Sequence, residues 1–348
     1  LKIIKNIPEL LAHNLIEASE IAQIEAVAHE HSIAITPEIM NSIKVFDNSD
    51  PIFAQYVPQK EELETSQYEF FDPIADVAHS PLNGLVHRYK SRALLKLTNA
   101  CPAYCRFCFR REMVGRENAK ILSDLEIDAI IQYLKEHKEI NEVIFSGGDS
   151  LAIGHLRLGK IAKAIGQIAN VKILRIHSRV PIIMPQIIDN ELVSALKEAN
   201  LPIFMVLHIN HYNEFTQNVK NAINILKQNG ITLLSQSVLL RGVNDDAQIL
   251  ADTFNALLEN GIKPYYLHHP DLARGTGHFQ LNPIEGMEIF SQLRTLISGL
   301  GLPKYVLDIP GGFGKVELNN ENLRQKPDGH FEIKDVNFNW HQYPNIRL

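Results

Sequence analysis

The sequence predicts an α/β protein: a partial (β/α)6 barrel preceded by a helical extension and followed by a short C-terminal one. Two observations predict it. From about residue 92 onward, short apolar runs alternate with amphipathic stretches of helical period, about thirty residues to each βα unit. The residues best suited to chemistry fall at the ends of those runs, where parallel sheets carry their sites. A doubly wound open sheet shares both features and is the alternative architecture.

Residues 1–88 form the extension. LLAHNLIEASEIAQIEAVAHEHS repeats apolar residues at helical spacing, while DNSDP and VPQKEE interrupt it. The barrel occupies residues 89–318, with strands expected at ALLKLT, EVIFSG, VKILRI, PIFMVLHI, ITLLSQSVLL and KPYYLHH. Between them DLEIDAIIQYLKEH, HLRLGKIAKAIGQIA, DNELVSALKEA, NVKNAINILKQNG and AQILADTFNALLENG read as helices, and Gly230 and Gly261 stand where helices are terminated. Residues 319–348 form the C-terminal extension.

Charge narrows the function. The 348 residues carry 34 Lys and Arg against 40 Asp and Glu, a net charge of −6, with no long basic run. A nucleic-acid partner is therefore not expected. No apolar stretch approaches the roughly 18 residues of a membrane span, and Leu1 to Leu11 mixes charge into its apolar residues. A cytoplasmic protein with a small-molecule substrate is expected.

The three cysteines, Cys101, Cys105 and Cys108, lie within TNACPAYCRFCFRR as C-x3-C-x2-C, just after the first strand. An odd, tight group cannot close a disulfide framework, so metal is the better reading. Structural zinc wants four ligands; no fourth cysteine exists, and His87 lies across a strand. Three soft thiolates instead suit an iron–sulfur cubane whose fourth iron stays open. At the end of the second strand, Ser146, Gly147, Gly148 and Asp149 lie in SGGDS, where the glycines permit close backbone approach, as a ligand amino group would require.

LDIPGGFGKV places Lys315 just after a glycine-rich turn. A phosphate-binding P-loop would need Gly where Ile309 stands and Ser or Thr at Val316, so that reading fails. A lysine so held can serve as the Schiff-base partner of pyridoxal phosphate. His268 and His269 are adjacent in a strand, face opposite sides and do not suit one metal ion.

The cysteine spacing resembles the radical S-adenosylmethionine superfamily, with Asp149 where many members have Glu. Taken with Lys315, HSRVP, SQSVLLRGVND and DLARGTGHF, the stretch from about Arg88 to Lys315 resembles the lysine 2,3-aminomutase family. The resemblance implies a [4Fe-4S] cluster on Cys101, Cys105 and Cys108, with S-adenosylmethionine as cosubstrate and pyridoxal 5′-phosphate on Lys315. Arg92 would hold the cofactor phosphate with help from Gln236, and Arg110 would pair with the substrate carboxylate, for which its planar fork is suited. Asp271 and Asp308 match the acids that grip the distal ammonium of L-lysine.

An isomerase making β-lysine is the reading this supports. A glutamate or other amino-acid aminomutase and a non-catalytic iron–sulfur module are the alternatives. The missing extra cysteines resemble the branch that supplies (R)-β-lysine for elongation factor P, although this chain keeps the PGGFGK pattern which that branch often lacks. The resemblance also implies an electron donor such as flavodoxin or ferredoxin, and it admits a homo-oligomer.

Overall fold

The segment before the sheet folds into short helices, α1 (Ile7–Ala12), α2 (Ile21–Glu30), α3 (Pro37–Ser42) and α4 (Pro51–Tyr56). The computed structural model describes residues 2–115 and 120–344. The expected helical run is broken after α1, where Asn14 takes a positive φ of 55°. Asn6, Thr36 and Asp50 cap α1, α3 and α4, each with proline in the first turn, so local chemistry starts these helices without help from length.

Strands follow as β1 (Leu85–Tyr89), β2 (Arg92–Thr98), β3 (Glu142–Gly147), β4 (Ile173–Ser178), β5 (Ile203–His208), β6 (Thr232–Val238), β7 (Lys263–His268), β8 (Lys304–Ile309) and β9 (Gly314–Glu317). Among the described residues these form one sheet in chain order, parallel from β2 to β8 with β1 and β9 antiparallel at its edges. The crossovers use α5 (Asp124–Glu136), α6 (His155–Gly166), then the single-turn α7 (Val180–Ile183) with α8 (Asn190–Lys197), α9 (Gln217–Gln228), α10 (Ala247–Glu259) and α11 (Pro283–Leu296). Six βα units therefore lead into a further parallel strand, β8. KYVLDI lies between Pro303 and Pro310 and runs into the glycine turn, so periodicity alone does not separate it as a strand. The sheet also begins at Leu85, within the stretch expected to belong to the extension.

β1 and β9 share no ladder. The Lys315 amide instead donates to the Tyr89 hydroxyl at 3.0 Å, so a side chain draws the two edges together. Outward residues of β2 such as Leu95 and Leu97 are fully buried in a continuous apolar core beneath the helices. Ser123, Asp189, Thr216 and Asp246 cap α5, α8, α9 and α10, and Gly230 and Gly261 take the positive φ expected just past α9 and α10. The C-terminal extension forms a three-stranded antiparallel sheet of β10 (Leu323–Gln325), β11 (Phe331–Lys334) and β12 (Trp340–Tyr343). Among the described residues no helix is long and apolar enough to cross a membrane.

Candidate active site

Parallel register lines the barrel lumen with alternate residues of each strand. Arg92 and Lys96 of β2 stand beside Glu142 and Ser146 of β3. Arg175 and His177 follow on β4, then His208 on β5 beside Gln236 on β6. Gln236 neighbours Tyr266 of β7 across a bulge, and Val238 neighbours His268. β8 and β9 close the series, with Asp308 directly opposite Lys315.

Lys315 Nζ donates to Asp308 and lies 3.2 Å from His268 Nδ1, 5.3 Å from the centre of the Tyr266 ring. Burial opposes charge on Asp308, but the Lys315 charge and His268 more than offset it and hold the carboxyl far below its usual range. Asp271 follows β7 and is pushed up to about 8, first by burial and then by the Asp308 charge. Two carboxylates facing one cation divide their titration in this way. His268 is pushed down to about 4 by burial and by Lys315, and His208 to about 3 by burial and Arg179, so both imidazoles are neutral near pH 7. His269 lies on the other face, its Nδ1 2.8 Å from the Tyr305 hydroxyl.

Arg92 lies deeper, its guanidinium carbon 3.9 Å above the Tyr89 ring whose hydroxyl takes the Lys315 amide. The lumen thus carries a cation at depth and an amine nearer its mouth. His177, His208 and His268 each present a buried Nε2 with no hydrogen-bond partner in the protein. Such groups are costly unless a polar ligand meets them, so the lumen fits the cofactor.

The cysteine loop leaves β2 at Thr98 and turns back with Cys108 N–H donating to the Cys105 carbonyl at 3.1 Å. The N-terminal extension holds it. Tyr104 and Arg106 amides donate to the carbonyls of Ala34 and Gln55, at 3.0 and 2.8 Å. Glu62 accepts from Arg106 Nε at 2.8 Å and Nη2 at 2.6 Å, and also from Arg111, clamping both flanks of Cys105 and Cys108 from a fully buried position. Among the described residues no three His, Cys, Asp or Glu side chains converge on a single metal ion. A cubane asks something different, because each thiolate takes its own iron; three half-buried cysteines on one loop fit that group.

Gly147 and Gly148 serve this loop. A Cβ on Gly147 would sit 2.2 Å from the Thr98 carbonyl oxygen, and one on Gly148 2.0 Å from that of Ala100. The amides of Gly148 and Asp149 donate to those two oxygens at 2.7 and 2.9 Å. The protein's own backbone thus approaches closely at both glycines. Asp149 differs from an open ligand group: it is buried and its oxygens accept from Ser178 Oγ and from the amides of Leu151, Arg179 and Val180. Burial nevertheless pushes it up to about 6. Ser146 Oγ lies 3.5 Å from Arg110 Nη1.

Arg110 Nε donates to Asp76 at 2.8 Å, and Asp76 also meets Arg88 at 3.3 Å. Asp76, Arg175, His177, His208, Tyr266 and the Glu62 clamp were not singled out from the sequence. For the strand residues a signal existed: Arg175 and His177 alternate within ILRIHS, and a polar residue at every second position of a buried parallel strand faces a lumen. Asp76 and Glu62 lie in irregular chain with no such pattern.

A partial parallel barrel with three cysteines on the loop after its first parallel strand defines a radical S-adenosylmethionine protein, and the Radical SAM superfamily model matches residues 95–253. Over 286 residues the chain is 40% identical to L-lysine 2,3-aminomutase of Acetoanaerobium sticklandii, covering 82% of this chain and 69% of that one. The corresponding enzyme of Escherichia coli is 39% identical over 80% of each chain, and that of Haemophilus influenzae 38% identical over 89% of this chain and 93% of its own. The chain belongs to the lysine 2,3-aminomutase family.

Proposed function

We propose that the chain converts L-lysine to β-lysine by 2,3-amino migration, with a [4Fe-4S] cluster on Cys101, Cys105 and Cys108, S-adenosylmethionine beside Ser146–Asp149, and pyridoxal phosphate on Lys315. Bound together, these groups supply a 5′-deoxyadenosyl radical and a carrier for the migrating amino group. The observation that carries the substrate assignment is the pairing of Asp271 with Asp308. Two neighbouring carboxylates cannot both ionise cheaply without a cation between them; Lys315 meets Asp308 in the ligand-free protein, and the distal ammonium of lysine would serve both acids once bound. The distal carboxylate of glutamate would add a third negative charge.

Arg110 then takes the substrate carboxylate through its Nη atoms while Asp76 holds its Nε. Arg92 receives the cofactor phosphate, with Gln236 contributing from β6 between His208 and Tyr266. Reductive cleavage of S-adenosylmethionine consumes one electron, so a donor of the ferredoxin or flavodoxin class is required. A cluster held by three thiolates calls for a reducing compartment, in keeping with a cytoplasmic enzyme.

Anaerobic reconstitution followed by chromatography of the products tests the reading. β-Lysine from lysine with glutamate unchanged is the expected result. Preferential turnover of glutamate, or no lysine turnover by protein fully loaded with iron and pyridoxal phosphate, overturns it.

A further inference from the structure

The distal ammonium of the proposed substrate and the side chain of Lys315 are the same chemical group, and both are directed to Asp308. The β8–β9 register sets Asp308 opposite Lys315, and the Nζ donates to that carboxylate. His268 Nδ1 lies 3.2 Å from Nζ and 3.5 Å from Asp308 Oδ2, so the amine is held on two sides. An amine bound as an ammonium in an ion pair is not a nucleophile.

We propose that Asp308 holds two cations in turn: the Lys315 ammonium in the empty protein and the distal ammonium of lysine once the cofactor is in place. This rests on the lysine reading given above. Lys315 fills the cation subsite until pyridoxal phosphate arrives, then must leave it to attack the aldehyde. In that step a carbon–nitrogen double bond forms, the aldehyde oxygen leaves as water and the ammonium proton passes to bulk water. Asp308 is thereby freed beside Asp271, and a carboxylate pair without a cation awaits the substrate. Loading is ordered, cofactor before lysine, and the ion pair slows the first stage.

The consequence has opposite signs for the two ligands. Asp308→Asn removes the contact that restrains Lys315 and also half of the substrate's cation site. An ion-paired amine must break that charge-assisted contact before it can attack, so its removal should accelerate capture of pyridoxal phosphate on the order of ten-fold or more. Asp271 can ionise once its neighbour is neutral and partly replaces it, so D271N/D308N should capture at least as fast as D308N.

The experiment follows the absorbance of bound pyridoxal phosphate after mixing with full-length, cluster-loaded protein, without S-adenosylmethionine or lysine. K315A supplies the baseline, and D308S repeats the measurement should D308N not fold. Faster capture in D308N or D308S together with lost lysine turnover is the expected result. Capture no faster than wild type overturns the exchange, whatever happens to turnover. The wild-type comparison of lysine with glutamate separately decides the substrate reading.

Discussion

Arg110 and Asp76 form a 2.8 Å ion pair that joins the cysteine loop to the chain preceding the sheet. Burial alone would raise the Asp76 carboxyl; Arg110, with help from Lys96 and Arg88, brings it net below its ordinary value. The pair holds the guanidinium by its Nε, while Nη1 lies 3.5 Å from Ser146 Oγ.

Asp76→Asn should therefore act on substrate binding. Loss of one partner of a buried charged pair costs about 2–5 kcal/mol in binding contexts, so KM for lysine should rise on the order of ten-fold or more while iron content stays normal. Steady-state kinetics beside an iron assay checks this. An unchanged KM would remove Asp76 from the site.

Lysine binding should release a proton. Asp271, pushed up to about 8 in the ligand-free protein, must ionise to share the distal ammonium. Apparent lysine affinity should improve as pH rises toward that value and level off above it. Calorimetry in buffers of different ionisation enthalpy would count the proton, and D271N should bind with none released.

The same group also affects stability. A carboxyl whose folded pKa lies above its unfolded value binds more protons when folded, so its contribution falls as pH rises from the ordinary carboxylate range through about 8. Asp271→Asn should therefore raise the Tm of ligand-free protein at pH 8 and change it little at pH 4. Equal shifts at both values would argue for a packing effect instead.

Gly148→Ala should damage cluster assembly, because the added Cβ would meet the Ala100 carbonyl at 2.0 Å and push the cysteine loop away from β3. The expected outcome is a sharp fall in bound iron per chain, with far-UV circular dichroism near wild type. Gly154→Ala is the control: its Cβ would meet nothing within 4 Å, so any loss there reflects backbone strain at φ +85° alone.

Much of the fold was legible because each strand and helix carries its own period. The runs expected as strands coincide with β2 to β7 to within two residues at either end, and the glycines past α9 and α10 stand where expected. Polar alternation in the strands also held the lumen residues in plain view, as with His177 and His208, once the direction of each face was known. At Gly147 and Gly148 a glycine signals close approach, and only the packed chain shows that the Thr98 and Ala100 carbonyls approach there.

What the sequence by itself determined was the chemical inventory: three soft ligands on one loop, an amine on a glycine turn, and acids at Asp271 and Asp308. Spacing along the chain encodes the cysteine loop and the lysine turn because each depends on neighbours a few residues away, whereas the two acids were reached only through the family resemblance. Tertiary structure alone decided which groups meet. Asp76 reaches Arg110 and Glu62 reaches Arg106 and Arg111 from irregular chain, Tyr89 draws the open edges together, and Lys315 lies against Asp308 and His268. Such contacts depend on how separate elements pack, and no local period records that.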